Sequence, residues 1–305
     1  MIGGFFSPLF IAGKSVQKLI KKLHWLDFLV LGCVIAFFSY VFIQMSGNLN
    51  YNWRWEKIPN YIFKYHTGRE EWFANVLLQG LIITVRVSIY AGVLALIFGV
   101  ILGIARCSNN LVIRMLARTY LEILRNIPPL VVIFIFYFFL AEQLIQALSI
   151  EDWSYKVAKI ENNNIWEFFC GDMRRFPSLV SGVIVLALFE SAFVGEIVRA
   201  GIQSIDRGQR EAARSIGMTQ FQEMRYIVLP QAMRKIMPPM ANQFITLIKD
   251  SSIISLISVQ ELTYKTAELV SSSKMLFEAW LTTATFYFVI CFGLSLLFSR
   301  LEPDK

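Results

Sequence analysis

Long apolar runs separated by shorter polar segments are the dominant pattern along the 305-residue chain. Six runs stand out, at roughly 25–45, 76–105, 127–148, 178–200, 238–258 and 277–299. At about 1.5 Å of rise per residue, a helix over each run can cross a hydrocarbon core of about 30 Å. The second run is longer than this requires, so we expect it to tilt or to extend past the interface. The pattern predicts an all-α membrane protein with six transmembrane helices.

Composition agrees with a membrane protein. Hydrophobic residues make up 56% of the chain, charged residues only 17%, and the mean hydropathy is +0.54. A soluble domain of this size would carry more charge. The first run is long for the core of a signal peptide and lacks a small-residue cleavage pattern, so we interpret it as an uncleaved span.

Basic residues are concentrated in alternate connections, which predicts the topology. Lys and Arg dominate the segments 1–24, 106–126 and 201–236, whereas 150–177 is balanced or acidic. Cytoplasmic loops carry the excess of Lys and Arg, so both termini are predicted in the cytoplasm. The net charge of +7 then reflects topology, and we expect no nucleic-acid partner.

The segment 46–75 is predicted to face outward, and its Trp and Tyr residues suit the membrane interface. Basic residues also occur in it, so the charge pattern constrains the first span least. No low-complexity linker or convincing internal repeat divides the chain. The predicted organisation is a cytoplasmic segment 1–24, one transmembrane domain 25–299 containing the cytoplasmic loop 201–236, and a tail 300–305.

Residues suited to cofactor chemistry are scarce. The two histidines and four cysteines are scattered, and the sequence has neither a GxxxxGK[ST] phosphate loop nor a GxGxxG fingerprint. We therefore predict no metal site, no catalytic cluster and no cofactor bound by this chain. If ATP drives the protein, another chain must bind it.

The polar segment between the fourth and fifth runs predicts two short helices. Asp206 is a suitable N-cap for the first, and Gly217 can end it because glycine adopts positive φ without strain. Thr219 and Gln222 fit a capping box for the second. Pro230 then either disrupts the helical hydrogen bonds or begins the next helix.

Small residues on the first of these helices suggest a contact surface. Ala212 and Ala213 lie near Ile216, with charged residues expected on the opposite side. Such a helix could enter a groove on another protein or lie on the bilayer surface. The physical pattern alone leaves both possibilities open.

The same loop resembles a known family signature. Its pattern E-A-A-x3-G-x9-I-x-L-P is that of permease subunits of binding-protein-dependent ABC importers. The seven matching positions are Glu211, Ala212, Ala213, Gly217, Ile227, Leu229 and Pro230. The wider stretch 75–298 is similar to the branch that imports polar amino acids.

The resemblance implies a multi-pass protein of the bacterial inner membrane with the type I ABC importer permease (MetI-like) fold. The helix from Glu211 to Ile216 would be the coupling helix, ended by Gly217 and followed by Leu229 and Pro230. It would dock on a dimeric ATPase that binds ATP and Mg. Other implied partners are an extracytoplasmic solute-binding protein, an identical or different second permease subunit, and membrane lipid. The chain itself would not be an enzyme.

Ionisable residues inside predicted spans are candidates for the substrate path. The candidate positions are Glu190, Glu196, Lys249, Asp250 and Ser251. Glu190 is either protonated or paired with a neighbouring span, or it faces the cavity and meets a substrate ammonium group. The family usually has a neutral residue near this position.

The remaining candidates also have structural interpretations. Glu196 and Arg199 are three residues apart and can form an ion pair on one helix face, although substrate contact is the alternative. Lys249 and Asp250 are adjacent and cannot face each other, so each needs its own partner or water. The run from Lys249 to Ser252 matches the family, which makes a role at the gate or substrate site the other possibility.

Two other classes of function are possible. An ion-coupled secondary transporter would explain Glu190, Lys249 and Asp250, but not the loop that resembles a docking element. A membrane enzyme would need a catalytic cluster at an interface, and the sequence shows none.

Overall fold

The computed structural model describes residues 25–48, 51–66, 71–160 and 164–299. The predicted segment 1–24 and tail 300–305 lie outside these residues. The chain separates into two compact units, with the division between Trp53 and Arg54. Helix α1, Trp25–Asn48, is the main element of the first unit, and its described side chains are exposed. A helix that is apolar on all sides suits contact with lipid.

The second unit begins with a small β-structure that the all-α prediction did not include. A helical turn, Trp55–Lys57, precedes α2, Ile58–Ile62, and an antiparallel hairpin of β1, Phe63–His66, and β2, Glu71–Ala74. The aromatic rings of Tyr65 and Trp72 face each other across the strands, with centroids 5.2 Å apart. Such cross-strand aromatic pairs stabilise sheets, and four-residue strands are too short to show a clear pattern in the sequence.

Two long helices form the centre of the second unit. Helix α3 covers Val76–Arg106, and a later helix, α9, covers Phe176–Gln203. The described residues between them form five shorter helices. The first is α4, Leu111–Asn126. An interrupted span follows, made of α5, Pro129–Phe136, a π-helical turn at Tyr137–Ala141, and α6, Glu142–Ala147; then come α7, Ile150–Ala158, and α8, Asn164–Cys170. A short turn at Met173–Arg175 leads into α9.

Glycines allow α3 and α9 to approach closely. A Cβ atom on Gly99 would lie 2.3 Å from Val194 Cγ1, and one on Gly103 would lie 2.6 Å from Val198 Cβ. This G-x-x-x-G spacing places both glycines on one helix face, as in close helix pairs of other membrane proteins. Most of α9 is therefore buried, with its apolar side chains in the core.

The remaining helices follow α9 in order. They are α10, Arg207–Ser215; α11, Gln220–Gln222; a π-helical turn, Glu223–Val228; α12, Leu229–Asp250; a 3-10 turn, Ser251–Ile257; α13, Leu262–Ser273; and α14, Leu276–Ser299. The N-cap of α13 is the buried Glu261, whose carboxylate accepts hydrogen bonds from the Tyr264 N–H at 2.8 Å and the Tyr287 hydroxyl at 2.8 Å.

The helix lengths confirm four of the predicted spans. Among the described residues, the helical stretches long and apolar enough to cross a membrane are Val76–Arg106, Pro129–Ala147, Met173–Gln203 and Leu276–Ser299. The first predicted span falls on α1, where the apolar stretch covers only Trp25–Tyr40 and is shorter than these four. The fifth predicted span falls on α12 and the turn after it, where polar residues lower the hydropathy. The count of six spans and the side on which the termini lie remain predictions.

Candidate functional site

Helix α10 has well-defined ends. The Asp206 carboxylate accepts a 2.6 Å hydrogen bond from the N–H of Gly208, which confirms the predicted N-cap. At the other end, the Gly217 N–H donates to the Arg214 carbonyl at 2.9 Å, and the Met218 N–H donates to the Ala213 carbonyl at 3.1 Å. These two bonds form a Schellman motif, and Gly217 has the positive φ of +79° that the motif requires.

The second helix of the loop begins as the sequence predicted. The Thr219 N–H donates to Gln222 Oε1 at 2.9 Å, and the Gln222 N–H donates to Thr219 Oγ1 at 3.3 Å, which completes the capping box. The chain then passes through the π-helical turn into α12. Pro230 lies in the first turn of α12, so it starts a helix, where its missing N–H has no consequence.

The exposed face of α10 differs in one position from the predicted small-residue face. Glu211, Ala212 and Ile216 are exposed, with Ile216 retaining 74% of its accessible surface. Ala213, by contrast, is buried on the inner side of the helix. Residues that share a helix face are three or four positions apart. The adjacent residues Ala212 and Ala213 therefore point in different directions.

Polar contacts fasten the inner side of α10 to the rest of the protein. Arg214 Nε lies 2.8 Å from Oε2 of Glu223, whose side chain is only 5% exposed. This hydrogen bond raises the pKa of Arg214. Arg210 Nη2 donates to the Ile202 carbonyl at 2.9 Å, at the end of α9. The contacts of Arg210, Arg214 and Glu223 were not predictable from the sequence, because their partners lie on other elements.

Two connections lie on the same side of the molecule. Asn109, between α3 and α4, donates through Nδ2 to Gln220 Oε1 at 3.1 Å. The connections at 106–126 and 201–236 therefore share one end of the helix bundle, in agreement with their predicted common topology.

Glu196 joins three helices near this end. Its carboxylate pairs with Arg199 at 2.5 Å, which confirms the predicted ion pair within α9. It also lies 3.6 Å from Arg125 of α4 and 4.0 Å from Arg106 of α3. A cavity of about 500 Å³ opens beside it between α4, α9 and α12, and Arg125, Lys235 and Gln243 line that cavity together with Glu196.

Helix α12 carries a polar stripe along its C-terminal half. The stripe consists of Asn242, Gln243, Thr246, Lys249 and Asp250. Their spacing of three and four residues places them along one side of the helix. Asn242 and Lys249 are exposed, and the other three are half-buried. Ser251 does not extend the stripe, because it is buried and its hydroxyl donates to the Ile248 carbonyl at 2.7 Å.

The stripe meets α9 at Glu190, near the midpoint of that helix. Glu190 is fully buried, and its Oε2 accepts a 2.7 Å hydrogen bond from Gln243 Nε2. Its carboxyl group also interacts with that of Asp250, which in turn interacts with the charge of Lys249. The structure thus brings together Glu190, Asp250 and Lys249 from the sequence analysis and adds Gln243, while Glu196 lies farther along α9 beside the cavity.

These features define a class of protein. A bundle of membrane helices with a polar stripe on one of them is typical of a membrane transport protein. The chain belongs to the family of binding-protein-dependent transport system inner membrane components, whose model matches residues 95–305.

Individual relatives agree with this family. The chain is 33% identical over 229 residues to the probable glutamine ABC transporter permease protein GlnM of Bacillus subtilis, covering 75% of this chain and 92% of the relative. It is 33% identical over 227 residues to the glutamate/aspartate import permease protein GltK of Escherichia coli O6:H1, covering 74% and 92%.

Solved structures show the same fold. A chain from an amino acid ABC transporter crystallised with histidines matches with a TM-score of 0.59 and 32% identity, covering 74% of this chain and 92% of that chain. A chain of the MetNI methionine ABC transporter in an inward-facing conformation matches with a TM-score of 0.55 at 15% identity, which shows likeness of fold. The predicted fold class and the resemblance to ABC importer permeases are confirmed.

Proposed function

We propose that this chain forms the membrane path of an amino-acid importer and that α10 is its coupling helix. The observation that carries the proposal is the displayed face of α10, on which Glu211, Ala212 and Ile216 are exposed while the inner side is fastened to the bundle. A short helix with small residues on its free face can enter a groove on another protein.

The fastening of α10 supports a role in transmitting motion. Arg210 holds the start of the loop against the end of α9, and Arg214 holds it against the turn that leads into α12. Glu190 of α9 and Gln243 and Asp250 of α12 are called the Glu190 cluster below. Movement of a partner bound to α10 would therefore act on both helices that carry this cluster. Such coupling requires two global states with different partner contacts.

Membership of the family supports a set of partners. A separate ATPase dimer would bind ATP and Mg and hold two coupling helices, and an extracytoplasmic solute-binding protein would deliver the amino acid. A second permease subunit, identical or different, would cover the polar stripe of α12, whose Asn242 and Lys249 are exposed in the single chain. The bacterial inner membrane would surround the apolar helices. No ATP hydrolysis is assigned to this chain.

The buried carboxyl groups favour one alternative function. An ion-coupled secondary transporter also places acidic residues such as Glu190 and Asp250 inside the membrane. Uptake by the chain alone, driven by a proton or sodium gradient, would support this alternative. An ion-coupled transporter of this kind, however, would have no use for the exposed helix α10 as a docking element.

A double substitution tests the coupling role. Glu211→Lys reverses a charge on the displayed face, and Gly217→Val removes the residue that permits positive φ at the end of α10. We expect the protein to insert normally but to lose amino-acid uptake and co-purification with its ATPase subunit. Glu122→Lys, which changes an exposed glutamate of α4, is the matched control. Normal transport by the double variant would contradict the proposal.

A further inference from the structure

Helix α4 exposes apolar side chains on the side that faces away from the bundle. Val112, Leu116 and Ile123 are 65%, 67% and 49% exposed, and their spacing of four and seven residues places them on one helix face. Met115 is also exposed, at the edge of that face. A surface helix in water turns polar residues outward, so this face requires an apolar environment.

The opposite side of α4 fastens the helix to the bundle. Leu121 and Leu124 are buried in a cluster with Phe189 of α9. The hydroxyl of Tyr120 donates to the Leu188 carbonyl at 2.8 Å. Because these contacts fix the rotation of α4 about its axis, they also fix which face remains outside.

Contacts at both ends hold α4 at the end of the bundle that carries α10. Asn109, just before α4, is bonded to Gln220, and Arg125 in the last turn lies 3.6 Å from Glu196 of α9. With 16 residues, α4 is about 24 Å long, which is too short to cross a hydrocarbon core of about 30 Å. The helix therefore lies at a membrane surface, which the charge pattern predicts to be the cytoplasmic one.

Basic side chains flank the exposed apolar face. Arg114 and Arg118 are exposed and lie one turn apart. Arg118 pairs with Glu122 at 2.6 Å, but both side chains are exposed, where such a pair contributes little. Arg114 donates to the Ser108 carbonyl at 3.1 Å and has no acidic partner in the described part of the chain. With four arginines and one glutamate, the segment 106–126 is electropositive.

We propose that α4 is a membrane-surface helix that binds anionic phospholipids of the inner leaflet. Val112, Leu116 and Ile123 enter the acyl-chain region, and Arg114 and Arg118 bond to the phosphate groups of the headgroups. A helix with an apolar face and a basic flank is suited to this position. Arginine forms charge-assisted and often bidentate hydrogen bonds with phosphate oxygens. Each basic residue near an anionic lipid surface raises the affinity about fivefold.

Headgroup preference is measured by native mass spectrometry of the purified full-length chain, titrated with phosphatidylglycerol or phosphatidylcholine. We expect the wild type to prefer phosphatidylglycerol. The double variant Arg114→Gln, Arg118→Gln should lower the affinity for phosphatidylglycerol by about tenfold or more and largely lose this preference. The control, Arg207→Gln with Arg225→Gln, removes the same charge from exposed positions of the neighbouring loop and should keep the preference.

The position of the apolar face is measured with a nitroxide at residue 116. The full-length chain, with its four native cysteines replaced, is reconstituted in nanodiscs that contain phosphatidylglycerol. We expect the nitroxide at 116 to collide more with oxygen, which partitions into lipid, than with a water-soluble nickel chelate. A nitroxide at Gln209, which is exposed on α10, is the control and should show the reverse order.

Four results would overturn the proposal. Equal affinity of the wild type for the two lipids, or an equal loss in both double variants, would remove the headgroup site. A nitroxide at 116 as open to the nickel chelate as that at 209 would place the face in water, and one shielded from both reagents would show that protein covers it. None of these measurements involves an amino acid or an ATPase, so failure here is separate from failure of the proposed function.

Discussion

At the scale of single residues, one ion pair determines how α10 is held. Glu223 is almost fully buried, and Arg214 reaches it from the exposed surface at 2.8 Å. Burial of a carboxylate is tolerated when a partner supplies charge and hydrogen bonds. The pair joins the last turn of α10 to the π-helical turn that begins the route to α12.

Removing one partner of this pair should loosen α10 without unfolding the membrane helices. We predict that Arg214→Ala increases hydrogen exchange over 207–216 and lowers the amount of substrate imported per ATP hydrolysed, because Glu223 loses its partner. The double variant Arg214→Ala, Glu223→Gln should recover part of both properties, since it no longer buries an unpaired charge. Equal exchange in the wild type and Arg214→Ala would contradict this role.

At the scale of elements, the close contact of α3 and α9 organises the bundle. Gly103 lies against Val198 of α9, and its added Cβ would also lie 2.8 Å from the Gly195 carbonyl oxygen. Backbone atoms at this distance cannot give way without a shift of the helix. The contact therefore depends on glycine at this position.

A pair of matched alanine substitutions tests this contact. We predict that Gly103→Ala destabilises the protein by about 1–3 kcal/mol, the usual range for overpacking, and lowers its melting temperature in detergent. Gly293→Ala in α14 is the control, because nothing lies within 4 Å of its added Cβ and alanine favours a helix. Equal melting temperatures for the two variants would show that the α3–α9 contact can adjust.

Elements with local signals were predictable from the sequence. The long apolar runs became α3, α9 and α14, and the caps of α10 and α11 depend on residues only two to five positions apart. The β-hairpin was missed because its strands are only four residues long. The π-helical turns carried no recognised signal either, since they depend on how the helices pack.

The candidate site was predictable only in part, because some of its contacts join residues that are far apart in the sequence. The family signature located α10, and the rarity of charge in spans pointed to Glu190 and Asp250. The orientation of Ala213 and the bond from Gln243 to Glu190 depend on contacts between distant segments. A single sequence does not record such contacts.

At the scale of the whole molecule, two helices of the second unit connect α10 with the Glu190 cluster. The Glu190 cluster lies near the middle of α9, and α10 follows the end of that helix. Helix α12 connects the same two places, because it begins after the π-helical turn and carries Gln243 and Asp250. A force applied to α10 would therefore reach the cluster through both helices.

The most direct test is photo-crosslinking from α10 in living cells. A photoreactive side chain replaces Ile216, which is exposed on the displayed face, and the control places it at the exposed Tyr155 of α7, in a segment predicted to lie outside the cytoplasm. If α10 is the coupling helix, position 216 forms an adduct with an ATPase subunit and position 155 does not. Adducts of position 216 with lipid alone would show that α10 lies on the bilayer and is not a coupling helix.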